Sequence, residues 1–242
     1  MAQNVVNVGE KHTVTPESHL FATFVKSLPY DLKLTIEEEI RSAPSHRAHT
    51  TLGLGYTPIP YLNIYAGYTV MIYGKNAGWD DPNNYIRHRV NVLLTPQIKL
   101  GQWSLSLREG LMIDTRTDDI DTRVKSASTL TLRSRLQAVY AIGTTPLSVV
   151  AKIEMLNTLN APVDYLNSIV PETDKYSSCY ISELRPEAGL QWKINKQHAL
   201  TLTYRYNYLY SRDASILDSG DVDLTNSYTT KHLILLAYKL DW

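Results

Sequence analysis

Charged residues two positions apart recur along this chain: Glu37, Glu39 and Arg41; Arg87 and Arg89; Arg133 and Arg135; Lys152 and Glu154; and Glu183, Arg185 and Glu187. A spacing of two puts both members on one face of an extended strand, whereas on a helix they would diverge. Arg47, Arg108 and Arg205 fall in the same phase. Opposed Arg and Glu can act in two ways. They can neutralise one another as a ladder of ion pairs filling an interior, or, with cations in excess, form rings of charge that favour anions in a narrow passage. A hydrolytic reading is weaker, because no motif joins His49, His88, His198 or His232 to a nucleophile. The stretch from Asp114 to Arg123, containing Asp118, Asp119 and Asp121, lacks the glycine and terminal glutamate of a calcium-binding hand and reads as a solvated acidic loop. The single cysteine, Cys179, excludes an intrachain disulfide and a multi-thiolate metal site. Neither a cofactor nor a metal is expected.

The elements that must carry these residues are strands. Helical periodicity is nearly absent, and eleven segments alternate with period two: 18 to 27, 32 to 41, 47 to 56, 62 to 73, 85 to 95, 103 to 113, 128 to 140, 147 to 157, 179 to 192, 199 to 211 and 228 to 242. Short gaps rich in Pro, Gly, Asn and Thr alternate with mostly long polar ones, as in an up-and-down antiparallel meander with two unlike ends. No domain boundary interrupts it. The apolar face, for example Leu62, Ile64, Ala66, Tyr68, Val70 and Ile72, lies opposite the charged one.

Which face points inward decides the environment. Eleven strands closed around an apolar interior would leave a void that no helix fills. With the apolar face outward, an eleven-residue strand tilted by about 40° spans about 28 Å, enough for an apolar band of about 25 Å. The reverse orientation would put Arg87, Arg89, Arg133 and Arg135 in lipid at about 2 to 4 kcal/mol each near the midplane. The 242 residues balance 24 basic against 24 acidic side chains, which speaks against a nucleic-acid partner, and 43% apolar content speaks against disorder. No run of apolar residues is long enough for a membrane-spanning helix.

The 17 Tyr and 4 Trp against 2 Phe suit two interfacial girdles. Tyr56, Trp103, Tyr140, Trp192 and Trp242 fall beside the short-turn end; Tyr180, Tyr208, Tyr210 and Tyr228 fall beside the long-loop end. Ile234, Leu236, Tyr238, Leu240 and Trp242 alternate to a terminal aromatic, like the sorting signal of bacterial outer-membrane barrels. Glu38, His88, Glu109 and His232 share the outward phase and do not fit it.

Bacterial single-chain barrels have even strand numbers, so the eleven segments call for a partner. Asn4 to Val14 supplies either a twelfth strand or a lumen plug. The expected fold is an all-β transmembrane up-and-down barrel of about twelve strands, within a range of ten to twelve, with residues 1–17 as an N-terminal segment and 18–242 as the barrel.

Several motifs in order resemble a known family. Arg87-His88-Arg89-Val90-Asn91-Val92, Ser106-Leu107-Arg108-Glu109, Leu132-Arg133-Ser134-Arg135-Leu136-Gln137, Asn195-Lys196-Gln197-His198 leading to Tyr204-Arg205-Tyr206, and the Glu-rich Leu34 to Arg41 look like the Bacteroidota outer-membrane barrels catalogued as domain of unknown function 2490. The resemblance covers the chain from about residue 18 onward and has no counterpart for residues 1 to 17. It implies outer-membrane residence after export with a cleaved signal peptide, which the first residues do not display. It implies no activity.

The expected function is a narrow or plugged channel, or a structural barrel, with a charged lumen. The alternatives are an accessory barrel whose loops at 158–178 and 212–227 dock a partner, and an outer-membrane hydrolase. The expected associates are membrane lipid, lipopolysaccharide and, during biogenesis, the outer-membrane barrel assembly machinery.

Overall fold

A computed structural model describes residues 6–42, 47–73, 85–117, 122–123, 125–170, 175–217 and 221–242. Eleven strands account for most of them: β1 (Val6–Ser27), β2 (Leu32–Arg41), β3 (Arg47–Ile59), β4 (Leu62–Tyr73), β5 (Tyr85–Leu100), β6 (Trp103–Arg116), β7 (Ser128–Ala141), β8 (Leu147–Thr158), β9 (Tyr180–Lys193), β10 (His198–Ile216) and β11 (Val222–Asp241). A short helix, α1 (Asp164–Ile169), interrupts the connection from β8 to β9. All eleven alternating segments are strands, several of them longer than their period alone marks out.

The strands close into one barrel in sequence order, β1 meeting β11. Neighbours are antiparallel except at that seam, where β1 and β11 run parallel in register from Val6 opposite Val222 to Val25 opposite Asp241. Among the described residues the strand count is eleven, inside the expected range. Val6 to Glu17 belongs to the wall: it continues β1 without a break and is neither a separate strand nor a plug. An odd count follows from this continuity. β1 starts at the long-loop end and β11 finishes at the short-turn end, so the two strands can meet only in parallel. The turn between β1 and β2 is tight, with Tyr30 and Asp31 both left-handed at φ 61° and 57°.

Residues opposite one another share a face, and the two faces differ sharply. Leu52, Tyr68, Val90 and Ile113 lie side by side on the exposed face. Leu52 is 54% exposed, Val90 50%, Leu111 49% and Leu136 54%. The face turned to the interior carries the buried residues, among them Thr51, Thr69, Met71, Met112, Glu154, Glu187, Thr203 and Leu233. On that face Gly53 lies opposite Gly67, and the Tyr65 ring folds across both. A Cβ on Gly53 would stand 2.0 Å from Tyr65 Oη, so only glycine allows the ring to lie against the wall.

The parallel seam is testable by cross-linking. Ser18 lies opposite Ile234. With Cys179 replaced by Ser, the double variant Ser18→Cys/Ile234→Cys should form a disulfide on mild oxidation, seen as a mobility change in gel electrophoresis. The offset pair Ser18→Cys/Tyr228→Cys should not.

Candidate functional site

The interior charges assemble into three ion-paired groups. The first crosses the seam. Glu17 on β1 accepts from Lys231 on β11 at 2.5 Å and lies 3.2 Å from His19 Nε2. His19 Nδ1 lies 3.1 Å from Glu39, which also accepts from Arg41 at 2.7 Å and sits 3.0 Å from His49 Nδ1. Glu17 and His19 are 6% and 2% exposed. This group therefore joins β11, β1, β2 and β3 on the buried side.

A second group spans β7 to β10. Glu154 accepts from Arg133 at 2.6 Å and from Arg185 at 2.8 Å; Arg185 also pairs with Glu183, which accepts from Asn207 at 2.8 Å. Beside it Glu187 accepts from Lys152 at 2.6 Å and from Arg205 at 2.7 Å. The register explains the choices: Lys152 faces Glu187, Glu154 faces Arg185, and Glu187 faces Arg205 across their ladders. The remaining space bounded by Arg135, Lys152, Glu154, Arg185, Glu187 and Arg205 is about 10 Å³, about room for one water.

A third pairing is bidentate. Arg89 Nε and Nη2 donate to the two oxygens of Asp114 at 2.5 and 2.8 Å across β5 and β6. Nearby, Tyr73 is bracketed by Arg47 and Arg87, whose guanidinium carbons lie 4.6 and 4.9 Å from its ring centre. Arg108 and Arg135 stand directly opposite one another on β6 and β7. Glu37 lies in the row of Thr51 and Thr69 and forms no ion pair among the described residues.

The ladders and ion pairs bring Glu39 to Arg41, Arg89 to Asp114, Arg133 and Arg185 to Glu154, and Lys152 and Arg205 to Glu187, partners that period alone does not indicate. Glu17, His19, Lys231 and Asp114 were missed. Each had the right phase: Glu17 and His19 precede Phe21 by twos, and Lys231 precedes Leu233 and Leu235 by twos. Treating residues 1–17 as a separate segment hid the first.

Of the expected girdles, Tyr56, Trp103, Trp192, Trp242 and Tyr208 are exposed. Tyr140 packs on Trp103, with ring centres 4.8 Å apart, and Lys26 Nζ lies 3.9 Å over the Trp242 ring. Tyr228 stacks on His12 at 5.0 Å and contacts Tyr210 at 5.2 Å. Tyr180 is placed otherwise. The β8–β9 register shifts between Leu156 and Asn157, and the extra residue that such a bulge inserts reverses the phase of what precedes it. Tyr180 consequently borders two cavities at the long-loop end, of about 330 and 500 Å³. Arg212 lies 4.1 Å over its ring and donates to Ser177 O at 2.8 Å.

The two loops expected to dock a partner contact each other. Leu166 of α1 forms a buried cluster with Ala214, Val222 and Leu224 at the tip of β10 and β11, with Tyr165 and Tyr176 against it. Much of 212–227 is strand, not loop. Of the acidic stretch, Asp114 pairs with Arg89, while Asp118, Asp119 and Asp121 lie outside the described residues. Cys179 is exposed, its Sγ 3.2 Å from Leu159 O.

The outward polar residues each have a lateral partner. Tyr68 Oη and His88 Nδ1 are 2.6 Å apart, as are Tyr204 Oη and His232 Nδ1. Ser134 Oγ donates to Glu109 at 2.6 Å and Thr50 Oγ1 to Glu38 at 2.8 Å. His198 Nδ1 lies 2.6 Å from Tyr238 Oη.

Over residues 20–216 the chain matches the model of a family described as a protein of unknown function (DUF2490). The chain belongs to that family. The family region runs from within β1 to the end of β10, so it contains the second and third groups of pairs whole but omits Glu17, His19 and Lys231. No curated protein and no solved structure matches the chain.

Glu154 is the carboxylate on which the second group turns. Glu154→Gln removes one charge from a buried group, leaving Arg133 without a carboxylate and Arg185 with Glu183 alone, so it should lower unfolding stability by about 3 to 5 kcal/mol. Lys239→Gln, at the exposed Lys239–Asp241 pair, should change it by less than about 1 kcal/mol. Urea titration of both variants in detergent checks the contrast.

Proposed function

We propose that the protein is an integral outer-membrane β-barrel whose interior is a narrow, charge-lined passage for small anions. One observation carries this reading: the exposed face is an apolar band, while the buried face is the charged one. A soluble barrel would have the opposite distribution. Closed barrels satisfy every backbone hydrogen bond within lipid, and the outward Trp and Tyr residues suit the headgroup regions.

The preference for anions rests on the charge in the middle of the barrel. Arg108, Arg133, Arg135, Lys152, Arg185 and Arg205 outnumber Glu37, Glu154, Glu183 and Glu187. A narrow bore follows from the tight packing of the second group. Its basic side chains still keep about a fifth of their surface accessible, as for Arg185 at 19% and Lys152 at 20%, which favours a wetted constriction over a dry core. Mutual packing of the two long-loop elements favours this reading over a barrel that recruits a partner through them.

Two measurements test it. Purified protein in planar bilayers should give a small conductance with a reversal potential displaced toward that of the anion, and Arg135→Glu should reduce the displacement; absence of conductance at any voltage would overturn the passage. Separately, Leu111→Arg on the exposed face should cost about 2 to 4 kcal/mol of stability in bilayers. A neutral outcome in bilayers would overturn the lipid-facing assignment.

A further inference from the structure

Arg108 and Arg135 stand directly opposite one another on the interior face of β6 and β7. Like charges so placed destabilise a sheet unless something intervenes. No carboxylate hydrogen-bonds to either guanidinium among the described residues, while Glu154 lies within electrostatic reach of both and Glu187 of Arg135. Glu154, opposite Arg135 on β8, is engaged by Arg133 and Arg185 instead. Among the described residues Arg108 makes one hydrogen bond, a long one of 3.4 Å from Nε to Thr95 Oγ1. Arg135 Nε is buried with no partner at all.

The surroundings supply further unused hydrogen-bonding capacity. Tyr65 Oη is buried and without a partner, and it lies within electrostatic reach of Arg108. The Gly53–Gly67 pair lets its ring lie against the wall, with the hydroxyl over Gly53. Glu37 lies within electrostatic reach of Arg108, Arg133 and Arg135 but hydrogen-bonds to none of them. It tempers the local charge without occupying the guanidinium groups.

We propose that Arg108 and Arg135, together with the Tyr65 hydroxyl, form a binding site for a small oxyanion of the phosphate type inside the barrel. Guanidinium forks match such oxygens in a bidentate manner; both arginines are only partly buried, and the buried Arg135 Nε–H and Tyr65 O–H have no partner of their own among the described residues. A bound oxyanion replaces the direct opposition of two cations with two attractive contacts, so the site is strongest where the sheet is otherwise weakest. The ligand class rests on the proposed anion passage, but the binding is an equilibrium property of the folded barrel and does not require conduction.

Inorganic phosphate is the probe. Full-length protein in a phosphate-free maltoside detergent is titrated with it, following the thermal unfolding midpoint and ³¹P line broadening, with sodium chloride at matched ionic strength as control. Phosphate should raise the midpoint by several degrees beyond chloride, and Arg108→Met/Arg135→Met should abolish the phosphate-specific part. Without phosphate, that variant should melt no lower than the parent, because the repulsion is gone. Should the double variant fail to fold, Tyr65→Phe still tests the site: it should weaken phosphate binding about tenfold, the loss expected for one hydrogen bond to a charged group. Equal responses to phosphate and chloride in the parent would overturn the site, as would a phosphate-specific shift surviving in the double variant or an unchanged affinity in Tyr65→Phe. A barrel that binds phosphate but conducts nothing would overturn the passage and leave the site standing.

Discussion

A sheet that closes on itself leaves no backbone edge, and here closure has to be achieved with an odd number of strands. In a meander each turn reverses direction, so the first and last of eleven strands run the same way. Parallel pairing is slightly weaker per residue than antiparallel pairing, and the seam compensates by length. β1 and β11 are among the longest strands and stay in register from Val6 to Val25. β1 meets β2 only from His19 onward, so its first half depends on β11 alone. The Glu17–Lys231 pair sits just where the support from β2 ends. An ion pair of low exposure adds little net stability but strongly penalises its own disruption, and at that position it opposes slippage of the seam.

The remaining interior charges follow from the same closure. Several carboxylates on the buried face are shared by two or more partners: Glu39 by Arg41 and two histidines, Glu154 by Arg133 and Arg185, Glu187 by Lys152 and Arg205. The carboxylates of this face gather on β1, β2, β8 and β9, with Asp114 serving β5 and β6. The β6–β7 wall is left with arginine opposite arginine. The imbalance is local and cannot be seen in a chain whose total charge is zero.

The periodic part of this design is readable in the sequence. Alternation assigns Glu37, Arg89, Arg133 and Glu187 to one face without knowledge of any neighbour, because the face depends only on phase along a single strand. Partners depend on register between strands, and register depends on turn geometry and bulges that composition marks weakly. Tyr180 shows the consequence: one extra residue near Ser182, with no glycine or proline beside it, turns a ring expected in the outer row into the wall of two cavities. The continuity of β1 escaped for a different reason. The apolar alternation and the family resemblance both begin near residue 18, whereas β1 continues back through Pro16, where it pairs with β11 alone and a missing N–H costs no ladder bond to β2.

The outward polar residues show how the apolar band tolerates them. On the lipid-facing surface proposed above, an isolated glutamate or histidine would leave donors or acceptors unsatisfied in a medium that offers none. Glu109 is answered by Ser134 directly across the β6–β7 ladder, and Glu38 by Thr50 directly across β2–β3. The two histidines use the diagonal instead: His88 faces Val70 and reaches Tyr68, and His232 faces Tyr206 and reaches Tyr204. Diagonal neighbours in an antiparallel sheet lie within reach of long and aromatic side chains, so a tyrosine two positions along can satisfy a ring nitrogen that the directly opposite residue does not. Each departure from the apolar pattern thus comes with a hydrogen-bonding neighbour on the same face. The band remains apolar at its surface because its polar atoms are turned sideways toward each other, along the sheet.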